Sequence, residues 1–316
     1  VKKGLGMIKT EWLAIVNMAA NGGKTRKKWH KKITKALADA EIVYDVVETA
    51  YEGHGIVLTT DAIKKGYRKL IVVGGDGTYN EVVNGVMLQQ QTASTNITLA
   101  MIPGGTGNDW AKTMKIPINI KKAVAIIKNG IPYVQDVGLA SYHKGDKQYQ
   151  RYFWNVGGTG FDAYVGQRLT KKRFGRMTYL IELVLGLFGY KNVPVRINSQ
   201  EKQSEEKVFM MAAALCKYFG DGMMIAPTAV PNNGQLDITL IKDLSKLGVM
   251  RELTRLYNGK FLKNKKVETF GTKKIDIESD EAIYLQLDGE VVGHGPVTFE
   301  LVPQSIKVLV NKDFEI

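Results

Sequence analysis

Up to about residue 103 the chain alternates two kinds of pattern. Leu13–Asn17, Ile42–Thr49, Leu70–Val73 and Ile97–Ile102 are short and rich in apolar and β-branched residues. Lys24–Ala40, Gly55–Lys65 and Tyr79–Gln90 instead carry apolar residues three or four positions apart. The first set predicts strands and the second helices. Gly66 stops the second helix. Asn119 predicts the cap of one more, Ile120–Lys128, which Gly130 ends. Strands alternating with helices indicate parallel βαβ units with helices on both faces of the sheet.

Beyond about residue 133 the pattern changes. Tyr149–Val156, Val193–Ile197, Val208–Leu215, Leu236–Ile241, Lys274–Glu278, Ile283–Leu287, Val297–Val302 and Ile306–Val310 all read as strands. Many short strands between turn signals predict an antiparallel sandwich or barrel. Helical patterns interrupt it at about Phe161–Phe188 and Ser245–Leu256. The expected division is a first domain of residues 1–133, joined by 305–316, and a second of 134–304.

Composition narrows the classes. The formal charge is +13, from 44 lysines and arginines against 31 acids. Such a chain is drawn to polyanions: nucleotides, nucleic acid or an anionic membrane surface. An excess that only aids solubility is the plainer reading. The lone Cys216 excludes an internal disulfide and suggests a reducing compartment. Four scattered histidines give no zinc pattern. Met177–Tyr190, the longest apolar segment, contains Glu182 and falls short of the ~20 residues that span a bilayer. A membrane would be met from outside.

Two loops carry the chemistry. The strand Leu70–Val73 runs into Gly74-Gly75-Asp76-Gly77-Thr78, and a helix follows. Glycines bring backbone N–H groups close to a ligand, and a helix N-terminus favours phosphate. Asp76 would repel phosphate unless Mg²⁺ lies between them, or unless it holds a hydroxyl or the loop itself. Thr78 and Glu81 also fit a capping box, which does not exclude ligand contact. The second loop, Pro103–Asp109, again follows a strand and again combines glycines, a threonine and an aspartate. Ligands bind at such carboxyl ends in open α/β sheets.

Two other glycine stretches look similar. Gly22-Gly23-Lys24-Thr25 resembles the end of a P-loop, but Met18 stands where that motif needs glycine. Gly158–Ala163 matches a dinucleotide fingerprint, yet lies outside the alternating region.

The ordered set of motifs resembles the diacylglycerol kinase catalytic family, which includes sphingosine kinases and bacterial lipid kinases. The pieces are Asn17–Gly23, Thr49 with His54-Gly55, Gly74–Asn80, Pro103–Asp109, Gly158–Ala163 and Leu287-Asp288-Gly289-Glu290. The first glycine loop alone is shared with NAD kinases and phosphofructokinases. The resemblance implies an α/β three-layer N-terminal domain of that kind and a β-rich sandwich C-terminal domain.

It further implies ATP and Mg²⁺ as cofactors. Asn17, Met18, Ala19, Ala20, Asn21, Thr49, Gly75, Asp76, Gly77, Thr78, Tyr79, Asn80, Glu81, Gly105, Thr106 and Asn108 would bind ATP, with Asp76 holding the catalytic Mg²⁺. Glu290, with Asp288, would activate a lipid hydroxyl; read locally, Asp288-Gly289 is equally a hairpin turn. A structural Mg²⁺ would need Val230, Asn233 and Gln235, where Asn233 replaces the family's aspartate and is a weaker ligand.

The implied activity is phosphoryl transfer from ATP to a lipid hydroxyl, diacylglycerol-like or sphingoid. The implied setting is cytoplasmic and peripheral to an anionic membrane, with no transmembrane segment and no specific nucleic acid. The basic residues Lys171, Lys172, Arg173 and Arg176, beside apolar Tyr179–Tyr190, are candidates for that contact; a buried helix with a solvated basic end is the plainer reading. An NAD or sugar kinase, and a non-catalytic nucleotide- or nucleic-acid-binding protein, are the alternative functions. Pairing of two copies as a homodimer is left open.

Overall fold

The computed structural model describes residues 10–168 and 185–315. The basic cluster at 171–176 and most of the apolar segment after it lie outside those residues. Packing divides the described residues into two units: 10–105, 116–133 and 306–314, and 106–115, 134–168, 185–305 and 315.

The first unit is a parallel sheet. Its strands are β1 (Trp12–Val16), β2 (Tyr44–Glu48), β3 (Lys69–Gly74) and β4 (Thr98–Pro103), in the order β2-β1-β3-β4. Helices α1 (Lys24–Lys28) and α2 (Thr34–Asp39), joined by a π-helical turn at Trp29–Ile33, form the expected basic helix. α3 (His54–Lys64) and α4 (Asp76–Leu88) alternate with the strands as expected. α5 (Asp109–Thr113) belongs to the second unit. In α6 (Ile120–Asn129) Lys122 N–H donates to Asn119 Oδ1 at 3.2 Å, the cap read from the sequence.

Both faces of this sheet are covered. Trp12, Ala14, Val16, Ile71, Val73 and Ala100 pack with Trp29, Leu37 and Val124 of the helical layer. The alternate residues Leu13, Ile15, Leu70, Val72 and Leu99 are buried on the other face. Burying one such aliphatic side chain is worth about 1.5–3 kcal/mol, so the continuous apolar runs specify interior strands.

The second unit is antiparallel. Its strands are β5 (Ile131–Lys144), β6 (Lys147–Phe153), β7 (Val156–Gly160), β8 (Val193–Ser199) and β9 (Gln203–Ala214). There follow β10 (Tyr218–Phe219), β11 (Met223–Met224), β12 (Leu236–Lys242), β13 (Val267–Thr272), β14 (Lys274–Glu278), β15 (Tyr284–Leu287) and β16 (Glu290–Val310). β5 begins in the first unit. Its hairpin with β6 runs from Gly138↔Phe153 to Lys144↔Lys147, and no apolar alternation marks β5 in the sequence.

Pairing in the second unit closes a circuit, β9-β7-β15-β16-β14-β8-β9, with β12 and β13 extending from β9. Helices α7 (Phe161–Arg168) and α8 (Lys246–Leu256) pack on this framework. Ser245 Oγ caps α8, accepting Gly248 N–H at 3.2 Å.

β16 unites two stretches that the sequence suggests as separate strands. Its last residues return to the first unit, where Lys307 and Val308 pair in parallel with Thr98 and Leu99 of β4.

Candidate active site

The loops of the first unit meet at the carboxyl ends of its strands. Gly104 and Gly105 N–H groups donate to Gly74 O at 2.7 and 3.1 Å. A Cβ on Gly75 would lie 2.9 Å from Gly105 Cα, so the approach requires glycine. Thr25, from the stretch resembling a P-loop, donates its hydroxyl to Gly104 O at 3.1 Å; it braces the second loop. Asn17, at the end of β1, donates from Nδ2 to Thr78 Oγ1 at 3.0 Å and accepts Ala19 N–H at Oδ1. Thr49 follows β2, its N–H bonded to Val16 O. Strand ends thus bring Asn17, Thr49, Gly75, Asp76 and Gly105 to one edge of the sheet.

The start of α4 departs from the expected capping box. The helix begins at Asp76 with Gly75 as N-cap, and no side chain caps it. Thr78 lies inside the first turn and pairs with Asn17. Glu81 accepts Gly53 and Gly55 N–H at 2.8 and 2.7 Å, so it fastens the start of α3. Tyr79 and Asn80 are fully buried. Burial, with the nearby Asp76 charge, holds the Tyr79 phenol well above its usual range. The Tyr79, Asn80 and Glu81 side chains therefore support the loop from beneath, so any contact they make with ATP would come from their backbone. Met18 and Ala20 likewise place their side chains in the core, while Ala19 is exposed and Asn21 takes a left-handed conformation at φ 53°. Asp76, Gly75 and Gly77 remain half-exposed.

In the second unit, β15 and β16 are joined by Asp288 and Gly289, both at positive φ (48° and 89°). Positive φ at both central residues is the geometry of a tight hairpin. Asp288 is buried and accepts three backbone N–H groups: Trp154 at 3.1 Å, Asn155 at 3.0 Å and Val156 at 3.0 Å. That carboxylate ties the hairpin to the start of β7. Glu290 is half-exposed, and its Oε2 accepts from Arg151 Nη2 at 2.7 Å. The acidic pair thus splits into a structural carboxylate and an accessible one.

The second glycine loop continues into this unit. Thr106 is exposed and Asn108 buried. Asp109 accepts Asp221 N–H at 2.9 Å and pairs with Lys112 at 2.9 Å. Trp110 stacks on Trp154 at 4.2 Å and donates to Gln135.

An apolar pocket opens in the second unit, lined by Phe161, Val165, Phe209, Phe219, Leu253 and Phe261 among others. Two carboxylates, Asp162 and Glu252, interrupt its apolar wall. Asp162 Oδ2 accepts from Gln286 at 3.1 Å, whereas Oδ1 is buried without a partner. Burial pushes the Asp162 carboxyl up to about 6. Gly158 stands where a Cβ would lie 2.1 Å from Asp162 Oδ2. The fingerprint-like Gly158–Ala163 segment therefore makes room for a carboxylate, in an antiparallel sheet.

Residues 11–140 match the diacylglycerol kinase catalytic domain model, and residues 155–310 match the YegS C-terminal NAD kinase beta sandwich-like domain model. The chain belongs to the diacylglycerol kinase catalytic-domain family. A diacylglycerol kinase of Mycobacterium tuberculosis is 28% identical over 94% of each chain. One from Staphylococcus carnosus is 27% identical over 95% of each. A Bacillus anthracis crystal structure superposes with a TM-score of 0.76 at 25% identity, covering 97% of this chain and 99% of that one. Yeast NADH kinase shares the fold alone, with a TM-score of 0.52 at 10% identity over 97% of this chain and 85% of that one. The α/β domain followed by a β-rich sandwich agrees with the fold expected from the sequence.

Within this kinase family two metal positions have to be tested on the residues present. At the glycine loops the residues fit an ion held together with phosphate: Asp76 is a half-exposed carboxylate, and the N-terminus of α4, which no side chain caps, suits the phosphate. At the turn after Val230 the fit is poor. Val230 O accepts Asn233 N–H at 3.2 Å, and Asn233 Oδ1 accepts Gln235 N–H at 3.2 Å. Gln235 packs on Gly271, and Gly234 N–H is held by Asp136 at 2.9 Å. The Val230 and Asn233 oxygens both accept hydrogen bonds within the turn itself, and no group of three or more His, Cys, Asp or Glu suited to a metal occurs among the described residues.

Sequence reasoning misses Arg151, the Asn17–Thr78 link and the carboxylates of the pocket. Arg151 is 139 residues from Glu290. It carries no local signal, because only strand pairing decides what it faces.

Proposed function

We propose that this chain is an ATP- and Mg²⁺-dependent lipid kinase that phosphorylates the hydroxyl of a diacylglycerol-like or sphingoid lipid. The observation that carries this reading is the apposition of the Gly74–Gly77 and Gly104–Gly105 loops, with Asp76 at the N-terminus of α4. Bound ATP with Mg²⁺ supplies the phosphoryl group and neutralises the charge on its oxygens.

The chain's own residues do the rest. Gly75, Gly77 and Gly105 let the backbone approach the phosphates, and Asn17 holds Thr78 in place. Asp76 would hold the ion. Glu290 takes the proton of the lipid hydroxyl as its oxygen bonds to the γ-phosphorus and ADP leaves; a positioned base is worth about 10²–10⁴-fold. Arg151, bonded to Oε2, orients the Glu290 carboxylate. The apolar pocket accepts the chain of the lipid, and Asp162 offers an acceptor to a polar group near its head.

The direct test supplies labelled ATP and Mg²⁺ with a panel of lipids, NAD and fructose 6-phosphate. Label in a lipid is expected. Label in NAD or the sugar would replace the proposed acceptor, and RNA binding without transfer to any acceptor would remove the catalytic reading.

A further inference from the structure

Helix α8 is apolar on two sides. Its inner residues Val249, Leu253 and Leu256 line the pocket. Its outer face carries Leu247, 77% exposed, and Met250, 46% exposed. Beside its first turn stand Phe188 and Leu185, 60% and 53% exposed. The two elements are fastened together: Lys246 donates to Phe188 O and lies 5.8 Å from the Phe188 ring, and Asn192 donates to Leu244 O at 3.0 Å. Scattered exposed apolar residues need no explanation, but several large ones around one element call for a covering partner.

The charges nearby select that partner. Lys191, Lys246 and Arg251 are exposed around these residues, and Lys260 and Lys263 follow on the next turn. Of the acids here, Glu252 is buried and bonded by Arg255 and Asn264, and Asp243 Oδ1 accepts from Asn192. Apolar side chains rimmed by cations suit a surface with an apolar interior and anionic headgroups.

We infer that the outer face of α8, with Leu185 and Phe188, docks this chain on an anionic lipid bilayer. Leu247, Met250, Leu185 and Phe188 enter the acyl boundary, while Lys191, Lys246 and Arg251 meet the headgroups. Because the inner face of the same helix walls the pocket, docking sets the pocket beside the bilayer. This rests on the lipid-kinase reading for its purpose, though not for its test.

The test is co-sedimentation of the full chain with phosphatidylcholine vesicles, with and without phosphatidylglycerol. It requires no phosphoryl transfer, so it can fail while the kinase assay succeeds, and the reverse. Leu247→Ser with Met250→Ser is expected to weaken partition onto the anionic vesicles by at least about tenfold. Its unfolding midpoint should match that of the unaltered chain. Val43→Ser with Val46→Ser, exposed residues of the first unit, should bind vesicles as the unaltered chain does. Lys246→Gln with Arg251→Gln should reduce the preference for phosphatidylglycerol. Unchanged binding by the Leu247/Met250 variant, or equal loss from the Val43/Val46 control, would overturn the proposal. If the first variant misfolds, Phe188→Ser alone should show a several-fold loss, and full binding by that variant would equally sink the idea.

Discussion

At the residue scale the acidic hairpin shows how one dipeptide spacing serves two ends. Asp288 spends its carboxylate on three backbone N–H groups, whereas Glu290 keeps an accessible one. Glu290→Gln is therefore expected to lower turnover by at least about 10²-fold with little change in unfolding midpoint. Asp288→Ala should destabilise by about 3 kcal/mol or more, because it strands those buried donors. Paired kinetic and denaturation measurements separate the two; full activity in the Glu290 variant would remove it from the mechanism. Asp76→Ala should match the Glu290 loss.

Asp162 gives a pH signature. Its folded pKa, about 6, exceeds its ordinary 3.8. Between these values the folded state holds a proton that the unfolded state has released. Stability from this group is thus greatest in acid and declines as pH rises through that window. Asp162→Asn should flatten the decline and raise stability at neutral pH, by up to about 3 kcal/mol. Chemical denaturation across the window reads this out.

At the scale of elements, an ion-pair network and a turn make opposite uses of polar groups. Glu206 pairs with Lys202 at 2.7 Å and Lys242 at 2.8 Å, and both lysines also reach Glu268. Burial alone would raise the Glu206 carboxyl, but the two lysines and Ser204 outweigh it and draw it down to about 2. Its stabilisation is present above its usual range and disappears as pH falls towards 2. Glu206→Gln should cost about 1–2 kcal/mol at neutral pH, limited by solvent screening, and the difference should shrink in acid. The turn after Val230 closes through Asn233, so a chelator should leave the unfolding midpoint of the nucleotide-free protein unchanged. A drop of several degrees on chelation would show that a metal holds it.

At the scale of the whole molecule, the chain's last strand completes its first unit. Ile306, Val308 and Val310 are buried, and Val310 O stands where a Cβ on Gly130 would come within 2.5 Å. Deleting residues 306–316 should uncover β4 and abolish cooperative unfolding of the first unit, although most of that unit precedes residue 134. A truncated chain with a normal calorimetric transition would refute this. The +13 charge acts at the same scale: binding to anionic vesicles should weaken as salt is raised, since exposed charges are screened over about 10 Å at 0.1 M.

The sequence by itself determined the elements whose physics is local. Runs such as Leu70–Val73 read as buried strands, Asn119 announces its helix, and two glycine-aspartate loops at strand ends mark the edge proposed to bind phosphate. Tertiary structure alone decided what those residues face. It moved the start of α4 to Asp76 and turned Glu81 towards α3. It merged the last two apolar runs into β16, placed Arg151 on Glu290, and gathered Asp162 and Glu252 into one apolar pocket. The reason is that propensity and capping act over a few neighbouring residues. Pairing across a sheet joins positions more than a hundred residues apart, and burial then fixes which polar groups are left to meet a ligand.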